Sequence, residues 1–393
     1  MRNAVVYIGM TYPHGIIRHF ALLALELERL RKATSADFDL YFASTDGETG
    51  QNAWPMIQET FSPDRILSCG AFDELADLIA ELTKKYGSVV VHTGGGWGQT
   101  KYLVRAKYGL RRKCASRLHF VATTHAFRID SPRRIWMSAF QCILYLLFYD
   151  KVVFQCSFAE KSFVGAKFLR WLGKSLIIPL GCEAFNGVQT IAPPSLSTIG
   201  LDAVLLNSKS FKFVYLAQFR PGKMHIWLVS AMAPVLKERP HTYLILCGMG
   251  DTEIIHEVKA IAEYAGVENQ VIVSGQIPRD SIPWLLVHSN CAVVPSRGET
   301  FGHNFLEPMF AGLPVLGTRV GIGCDVLKDG YTGYGFSLKD MMDFRCKAKR
   351  LVDNPEQTAE MGSNARSRVE RTYRHADVAK QLLSLYSMMS ANG

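Results

Sequence analysis

A chain of 393 residues with 48% hydrophobic and 20% charged residues is globular rather than disordered, and it is long enough for two domains. Its nine scattered cysteines include no Cys-x-x-Cys pair, which argues against a disulfide framework or a zinc site and fits a reducing compartment. The net charge is +9, so anionic partners are favoured over cationic ones.

The basic residues are concentrated between Lys101 and Arg134, where ten lysines and arginines accompany one acid, Asp130. A patch of this kind attracts lipid head groups, nucleic acid or phosphorylated substrates. A solvated helix face explains the same spacing at least as well. No nucleic-acid-binding motif accompanies the patch, so we expect no nucleic-acid partner. An anionic membrane surface remains as a candidate partner.

The first half of the chain alternates short apolar runs with helix-period segments. Strands are predicted at Ala4–Ile8, Phe38–Ala43, Ser88–His92, Leu118–Thr123 and Lys151–Phe154. Helices are predicted at Ile16–Arg31, Leu75–Tyr86, Thr100–Arg111, Arg133–Phe148 and Phe158–Leu172. This alternation predicts a parallel sheet covered on both faces, with ligands at the carboxyl ends of the strands.

Two stretches bear on the location of the protein. Met1 leads straight into a strand, so no secretory signal is expected and a cytoplasmic location follows. The longest apolar run, Ile135–Tyr149, is too short to span a bilayer and is predicted to be a buried helix.

The alternation stops and then restarts, which predicts a second domain. A strand beginning at Ser175 ends at Pro179 and Gly181, and residues 186–209 show no clear period. Strands are then predicted at Phe211–Leu216, Thr242–Cys247, Gln270–Ser274, Cys291–Val294 and Pro314–Gly317. Helices are predicted at Ile226–Lys237, Thr252–Ala265, Ser281–Val287, Lys339–Val352, Pro355–Tyr373 and Asp377–Met389. We therefore predict an N-terminal domain at 1–185, a hinge at 186–209, a C-terminal domain at 210–373 and a closing helix at 374–393.

The segment Val294–Gly312 carries the most specific pattern in the chain. A buried strand turns through Pro295 into a helix, with Glu299 in the loop and Glu307 inside the helix. The first helical turn is predicted to comprise Phe301, Gly302, His303 and Asn304. The unpaired backbone N–H groups and the dipole of a helix start favour a phosphate. The segment thus predicts a phosphate cradle with a carboxylate on each side.

This arrangement resembles the Glu-x7-Glu element of the family 4 glycosyltransferases, retaining enzymes with the GT-B fold. The pattern Ile-Pro-x-Gly from Ile178 to Gly181 is similar to the end of the N-terminal domain in that family, although the following Phe185 comes one residue early. The resemblance implies an α/β GT-B fold, with two Rossmann-like doubly wound domains facing across a cleft. It also implies a C-terminal helix that crosses back to the first domain.

Further candidate residues follow strand ends. Lys223 aligns with a phosphate-binding lysine of the family, whereas the usual arginine position holds Gln218 or Ala217 and Arg220 lies closer to the lysine. Either Arg220 substitutes or one cation is missing; two exposed loop cations would be the default without the Glu-x7-Glu element. Other family-like donor contacts are expected at Gly15, Gly248, Gln276 and Ile277, the last two near the nucleobase. His125 is expected to contact the sugar or the incoming hydroxyl.

The resemblance implies transfer of a sugar from a nucleoside diphosphate to a glycan or lipid-linked hydroxyl acceptor, with retention and without a metal or other cofactor. Glu299 would orient the sugar and Glu307 would bind the ribose hydroxyls. A sugar-nucleotide epimerase of similar fold and a non-catalytic carbohydrate-binding relative remain alternatives. His92 has two equal interpretations, as an acceptor-side residue or as the end of a tight turn. The Asp-x-Asp at Asp37–Asp39 is interpreted as a pair of solvated acids and not as a metal motif.

Overall fold

The computed structural model describes residues 3–8, 16–34, 38–44, 57–59, 61–68, 72–94, 118–124, 131–182 and 201–391. The chain forms two compact units. Unit 1 contains Met1–Cys182 together with Tyr373–Gly393, and unit 2 contains Glu183–Thr372. The limits expected from the sequence were residues 185 and 373.

The first unit is built on a parallel sheet of seven strands in the order β3-β2-β1-β4-β5-β6-β7. The strands are β1 (Asn3–Ile8), β2 (Phe38–Ser44), β3 (Ile66–Ser68), β4 (Val89–Thr93), β5 (Leu118–Thr124), β6 (Lys151–Phe154) and β7 (Ser175–Ile177). The central strands are mostly apolar because helices cover both faces of such a sheet. Val5 and Val90, which pair across β1 and β4, are almost fully buried.

Five described helices lie in the main body of unit 1 and one returns from the C-terminus. They are α1 (Ile16–Thr34), α2 (Phe72–Lys85), α3 (Pro132–Phe148), α4 (Ser157–Lys161), α5 (Ala166–Trp171) and, at the end of the chain, α14 (His375–Ala391). The C-terminal helix contacts α1 and β4, so its predicted return to the first domain is confirmed. Its buried side chains include Val378, Leu382 and Leu385, the apolar face expected from the sequence.

The second unit is built on a parallel sheet of six strands in the order β10-β9-β8-β11-β12-β13. The strands are β8 (Phe211–Leu216), β9 (Thr242–Cys247), β10 (Val271–Gly275), β11 (Cys291–Val294), β12 (Val315–Thr318) and β13 (Gly333–Phe336). The helices are α6 (Leu201–Leu206), α7 (His225–Glu238), α8 (Thr252–Tyr264), α9 (Ile282–Val287), α10 (His303–Phe310), α11 (Gly323–Val326), α12 (Met341–Asp353) and α13 (Pro355–Glu370). Both units are therefore α/β with parallel sheets, and the predicted doubly wound class is confirmed.

Three expectations need correction. Helix α6 lies inside the segment predicted as hinge, because Leu201 and Leu205 are one turn apart and both are buried. Asp39 is not solvated: its carboxylate accepts hydrogen bonds from Arg65 and from the hydroxyl of Tyr86, each at 2.8 Å. Asp37 lies outside the described residues.

The prediction of a buried helix over Ile135–Tyr149 is wrong for one face of α3. Trp136 is 75% exposed and Leu147 is 59% exposed, whereas Tyr145 is fully buried. The apolar period of this helix does not show which side is covered, since both sides carry apolar residues.

Candidate functional site

The candidate site in unit 2 lies at the carboxyl ends of neighbouring strands. Strand β8 lies between β9, which follows it in the chain, and β11, which follows much later. The strand order therefore reverses between β8 and β11, and ligands of doubly wound sheets bind at such a reversal. Lys223 lies in the loop after β8 and Glu299 in the loop after β11.

Three donors converge on one oxygen of Glu299. Its Oε1 accepts hydrogen bonds from Lys223 Nζ at 2.6 Å, from Ser296 Oγ at 2.6 Å and from Asn304 Nδ2 at 3.1 Å. The Glu299 side chain is 10% exposed and that of Lys223 is 26% exposed. The structure therefore brings together Lys223, Glu299 and Asn304, which the sequence singled out separately. The carboxylate is held in one orientation, because each of the three donors lies on a different part of the chain.

Ser296 extends this cluster into the core, and sequence reasoning missed it. It is fully buried, and its hydroxyl lies 3.1 Å from the hydroxyl of Tyr215. Tyr215 also donates to the backbone carbonyl of Lys223 at 3.0 Å, and burial raises the pKa of its phenol well above the ordinary value. A buried hydroxyl chain thus supports both Glu299 and the backbone of Lys223.

Backbone hydrogen bonds fix the loops that carry the cluster. The N–H of Arg297 donates to the carbonyl of Gly222 at 2.9 Å, which joins the loops after β8 and β11. The N–H of Ile322 donates to the carbonyl of Phe301 at 2.6 Å. Gly321, with φ +53°, lies so close that an added Cβ would meet the Phe301 carbonyl at 2.3 Å and Glu299 Cβ at 2.8 Å. The loop around Glu299 is therefore built for one conformation.

The start of α10 differs from the prediction by two residues. The helix begins at His303, Gly302 is its N-cap with φ +104°, and Phe301 lies before the helix and is buried. Gly302 adopts a positive φ that other residues reach only with strain, so the chain turns into the helix two residues later than expected. A helix start still presents N–H groups and a positive dipole end at the position beside Glu299. Asn304 adds a buried Oδ1 that has no hydrogen-bond partner among the described residues.

Glu307 lies inside helix α10 and is paired with a cation of its own. Its Oε1 is 3.3 Å from Arg279 Nη2, and its side chain is 14% exposed. Arg279 was not predicted as a site residue. The nearby Gln276, which directly follows β10, is exposed, whereas Ile277 is 8% exposed. The two carboxylates of the Glu-x7-Glu element are therefore each paired with a basic side chain from a different loop.

The loop carrying Lys223 is a short 3-10 turn, Pro221–Lys223, followed by the strained Met224 with φ +61°. Arg220 caps this turn and is exposed, so its role beside Lys223 stays a prediction. Below the turn, His225 is 1% exposed and stacks on the ring of Phe219 at 4.1 Å. Burial, and secondarily the charge of Lys223, lower the pKa of His225 to about 4.

The loop after β8 approaches the two glycines after β9 so closely that neither position has room for a side chain. A Cβ at Gly248 would meet the carbonyl oxygen of Ala217 at 2.0 Å, and one at Gly250 would meet that of Phe219 at 2.2 Å. The residue between them accepts a hydrogen bond from Phe219 N at 2.8 Å. The close backbone approach expected here is thus made first to the loop after β8, and a contact of Gly248 with a ligand stays a prediction.

Residues 201–368 match the family of "Glycosyl transferases group 1". Unit 2 thus resembles the group 1 glycosyltransferases, over a match that covers less than half of the chain. This confirms the resemblance inferred from Lys223, Glu299 and Glu307, all three of which lie inside the matched region.

The chain is also similar to two curated relatives and to one solved structure. The chain is 30% identical over 152 residues to the alpha-1,3/1,6-mannosyltransferase of Dictyostelium discoideum, covering 37% of this chain and 36% of the relative. It is 28% identical over 173 residues to the N-acetyl-alpha-D-glucosaminyl L-malate synthase of Bacillus anthracis, covering 44% of each. The matches thus span less than half the length of these relatives.

The solved structure is that of HepE of Anabaena in complex with UDP and glucose. It is similar with a TM-score of 0.70 at 17% identity, covering 99% of this chain and all of HepE. A likeness of this extent shows the fold of the whole chain, and the predicted GT-B class is confirmed.

In unit 1, two expected site residues, Gly15 and His125, lie outside the described residues. His92 is described, and its two interpretations can now be separated. Its Nδ1 lies 2.6 Å from the hydroxyl of Tyr386 on α14, and its Nε2 lies 2.7 Å from Thr123 Oγ1. Burial lowers the pKa of His92 to about 3. His92 therefore joins the returning C-terminal helix to the sheet and does not line an acceptor site.

Within the described parts of the chain, His, Cys, Asp and Glu side chains form no group of three or more suited to hold a metal ion. No helix in those parts is long and apolar enough to cross a membrane. Of the basic segment Lys101–Arg134, only residues 118–124 and 131–134 are described, and Arg133 and Arg134 are exposed.

Proposed function

We propose that this protein transfers a glycosyl group from a nucleoside diphosphate sugar to a hydroxyl of a glycan or lipid-linked acceptor. The observation that carries the proposal is the convergence of Lys223, Ser296 and Asn304 on Glu299 Oε1 beside a helix start. The match of residues 201–368 to the group 1 family supports it, as do the nucleotide and sugar in the structure of HepE.

The leaving group determines the first role of the site. Cleavage of the bond between the anomeric carbon and the diphosphate oxygen leaves negative charge on the phosphates. Lys223, the amides at the start of α10 and Arg220 stabilise that charge, so we propose a reaction that needs no metal or other cofactor. Preorganised donors of this kind act without reorganisation in the transition state, and Lys223 is already held by its ion pair with Glu299.

The two carboxylates contact different parts of the donor. Glu299 orients the sugar and offsets the positive charge developing at its anomeric carbon. Glu307 accepts hydrogen bonds from the ribose hydroxyls, with Gln276 and Ile277 near the nucleobase. The acceptor hydroxyl forms the new bond to the anomeric carbon and passes its proton to the departing diphosphate, and His125 contacts the sugar or that hydroxyl. Retention of configuration is implied by the resemblance to family 4 enzymes.

We also propose attachment of the basic segment Lys101–Arg134 to an anionic membrane surface, where a lipid-linked acceptor would be available. Among the described residues of this segment, the exposed Arg133 and Arg134 support that part of the proposal.

The proposal is tested by comparing Glu299→Gln with the wild type. A thermal-shift screen of nucleoside diphosphates and their sugars first identifies the donor, and transfer is then measured over an acceptor panel. We expect Glu299→Gln to lose transfer by about a hundredfold or more while nucleotide binding survives, since the amide keeps the shape but not the charge. Glu356→Gln, at an exposed helix start of the same unit, is the matched control.

Three outcomes would contradict the proposal. Equal loss of transfer and nucleotide binding in Glu299→Gln would mean that the sugar contact belongs to another residue. Epimerisation or hydrolysis of the donor without any acceptor would indicate an epimerase. Donor binding without turnover across the acceptor panel would indicate a non-catalytic relative.

A further inference from the structure

Helix α3 of unit 1 exposes a face of large apolar residues, although the face that it buries includes polar and small residues. Five residues of α3 are buried, and three of them are polar or small: Ser138, Gln141 and Cys142, beside Leu144 and Tyr145. The exposed face opposite to them carries four large apolar residues, which we call the apolar stripe: Trp136, Phe140, Ile143 and Leu147. Their exposed fractions are 75%, 48%, 52% and 59%. Spacings of four, three and four residues place them on one line along the helix.

The orientation of the helix is fixed by specific hydrogen bonds and not by chance packing. The hydroxyl of Ser138 accepts from the N–H of Val164 at 2.9 Å, and Gln141 Nε2 donates to the Tyr145 hydroxyl at 2.6 Å. At the far end, Lys174 Nζ donates to the carbonyls of Leu146 and Tyr149 at 2.9 and 2.8 Å. Rotation of α3 to bury the apolar stripe would break its bonds to Val164 and Lys174, whereas the Gln141–Tyr145 bond lies within the helix. The bonds to Val164 and Lys174 therefore keep the stripe facing outward.

The neighbouring helix α5 repeats the feature. Phe168 and Trp171 are 49% and 77% exposed, and their rings stack with centroids 5.7 Å apart. Exposed apolar surface of this extent marks an interaction site in soluble proteins. Tryptophan in particular is enriched where protein meets the head-group layer of a bilayer.

Charge on these elements is of one sign. Residues 131–149 contain Arg133 and Arg134 and no acid, and residues 162–174 contain Lys167, Arg170 and Lys174 and no acid. Two arginines in the first turn of α3 oppose the helix dipole, so they do not serve the stability of the helix. Arg133, Arg134 and Lys167 are exposed. Basic residues beside an outward apolar face are the pattern of helices that lie in the plane of an anionic bilayer.

We propose that the apolar stripe of α3 inserts into the head-group layer of an anionic lipid bilayer, with the helix parallel to the membrane. A second copy of the chain fits the face less well, because neither α3 nor α5 carries an acid that could pair with the exposed arginines. Anionic lipid supplies both the apolar and the negative partner. This goes beyond the proposed sugar transfer and does not depend on it.

The test is sedimentation of the full chain with vesicles of phosphatidylcholine alone or mixed with phosphatidylglycerol. We expect binding to the anionic vesicles, and a loss of about tenfold or more in the triple variant Trp136→Ser/Ile143→Ser/Leu147→Ser. The matched control is Tyr264→Ser/Met342→Ser, which removes exposed apolar residues from unit 2 and leaves vesicle binding unchanged. Thermal unfolding of the triple variant should match that of the wild type, since all three side chains are exposed.

A second pair of measurements separates insertion from simple charge attraction. Brominated lipids should quench tryptophan fluorescence in the wild type and less in Trp136→Ser, and Arg133→Glu/Arg134→Glu should weaken binding to anionic vesicles while leaving the fold intact. Any of three results would overturn the proposal. The first is that the wild type binds neither kind of vesicle, and the second is that the triple variant binds as well as the wild type. The third is that the wild type is a dimer in solution whereas the triple variant is a monomer. None of these readouts requires turnover, so failure of sugar transfer and failure of membrane insertion are distinguishable.

Discussion

Replacing Lys223 by methionine probes the ion pair at the centre of the candidate site. The Lys223 and Glu299 side chains are only 26% and 10% exposed and lie 2.6 Å apart. The change removes a charge-assisted hydrogen bond to the diphosphate, which contributes about 1.5–3 kcal/mol. It also leaves Glu299 as an unpaired negative charge facing the phosphates, a repulsion of up to ~3 kcal/mol that solvent reduces at a partly exposed site.

Together these effects predict a loss of ~3 kcal/mol, or about a hundredfold weaker binding of a nucleoside diphosphate. The double variant Lys223→Met/Glu299→Gln removes the repulsion and should recover about tenfold of that loss. Isothermal calorimetry at one fixed ionic strength measures both, with Lys259→Met as the control for an exposed cation of the same unit. A change below about twofold in Lys223→Met, or a double variant that binds no better than the single one, would refute the electrostatic argument.

Two further predictions concern stability. Met224→Gly should raise the free energy of unfolding by about 1 kcal/mol, because Met224 has φ +61° and glycine reaches this conformation without steric cost. Chemical denaturation measures this free energy, and an unchanged denaturation midpoint would contradict the prediction. His92 has a folded pKa of about 3 against an unfolded value of 6.5, so the stability contributed by its neutral form is fully present above pH 6.5 and is lost as the pH falls toward 3. The expected slope is about 1.4 kcal/mol per pH unit, seen as a falling melting temperature that His92→Phe flattens and the exposed His256→Gln does not.

The strand and helix periods predicted most of the fold because buried parallel strands are nearly continuous apolar runs. The exceptions are short edge strands. Strand β3 has three residues and β13 contains Gly333 and Gly335, so neither has the length or the branched side chains that signal a strand. Their pairing is imposed by the neighbouring strands and not by local preference.

The candidate site was predictable as a set of strand ends but not as a network. The sequence placed Lys223 and Glu299 after neighbouring strands, yet they are 76 positions apart and nothing local shows that they form an ion pair. Ser296 was missed because a serine in a loop carries no signal of burial until the loop is folded against Tyr215. The outward face of α3 was missed for a related reason, since periodicity gives the faces of a helix but not which of them the rest of the protein covers.

The return of the chain to unit 1 has a consequence for how the protein can be divided. Cys182, the last residue before unit 2, donates its N–H to the carbonyl of Tyr373, the first residue after it, at 2.8 Å. Cys182 also bridges to Arg374 as a short parallel pair. The second unit is therefore a domain insertion whose entry and exit are adjacent. A gene in which a short glycine-rich linker replaces residues 183–372 would encode a continuous first unit with α14 in place.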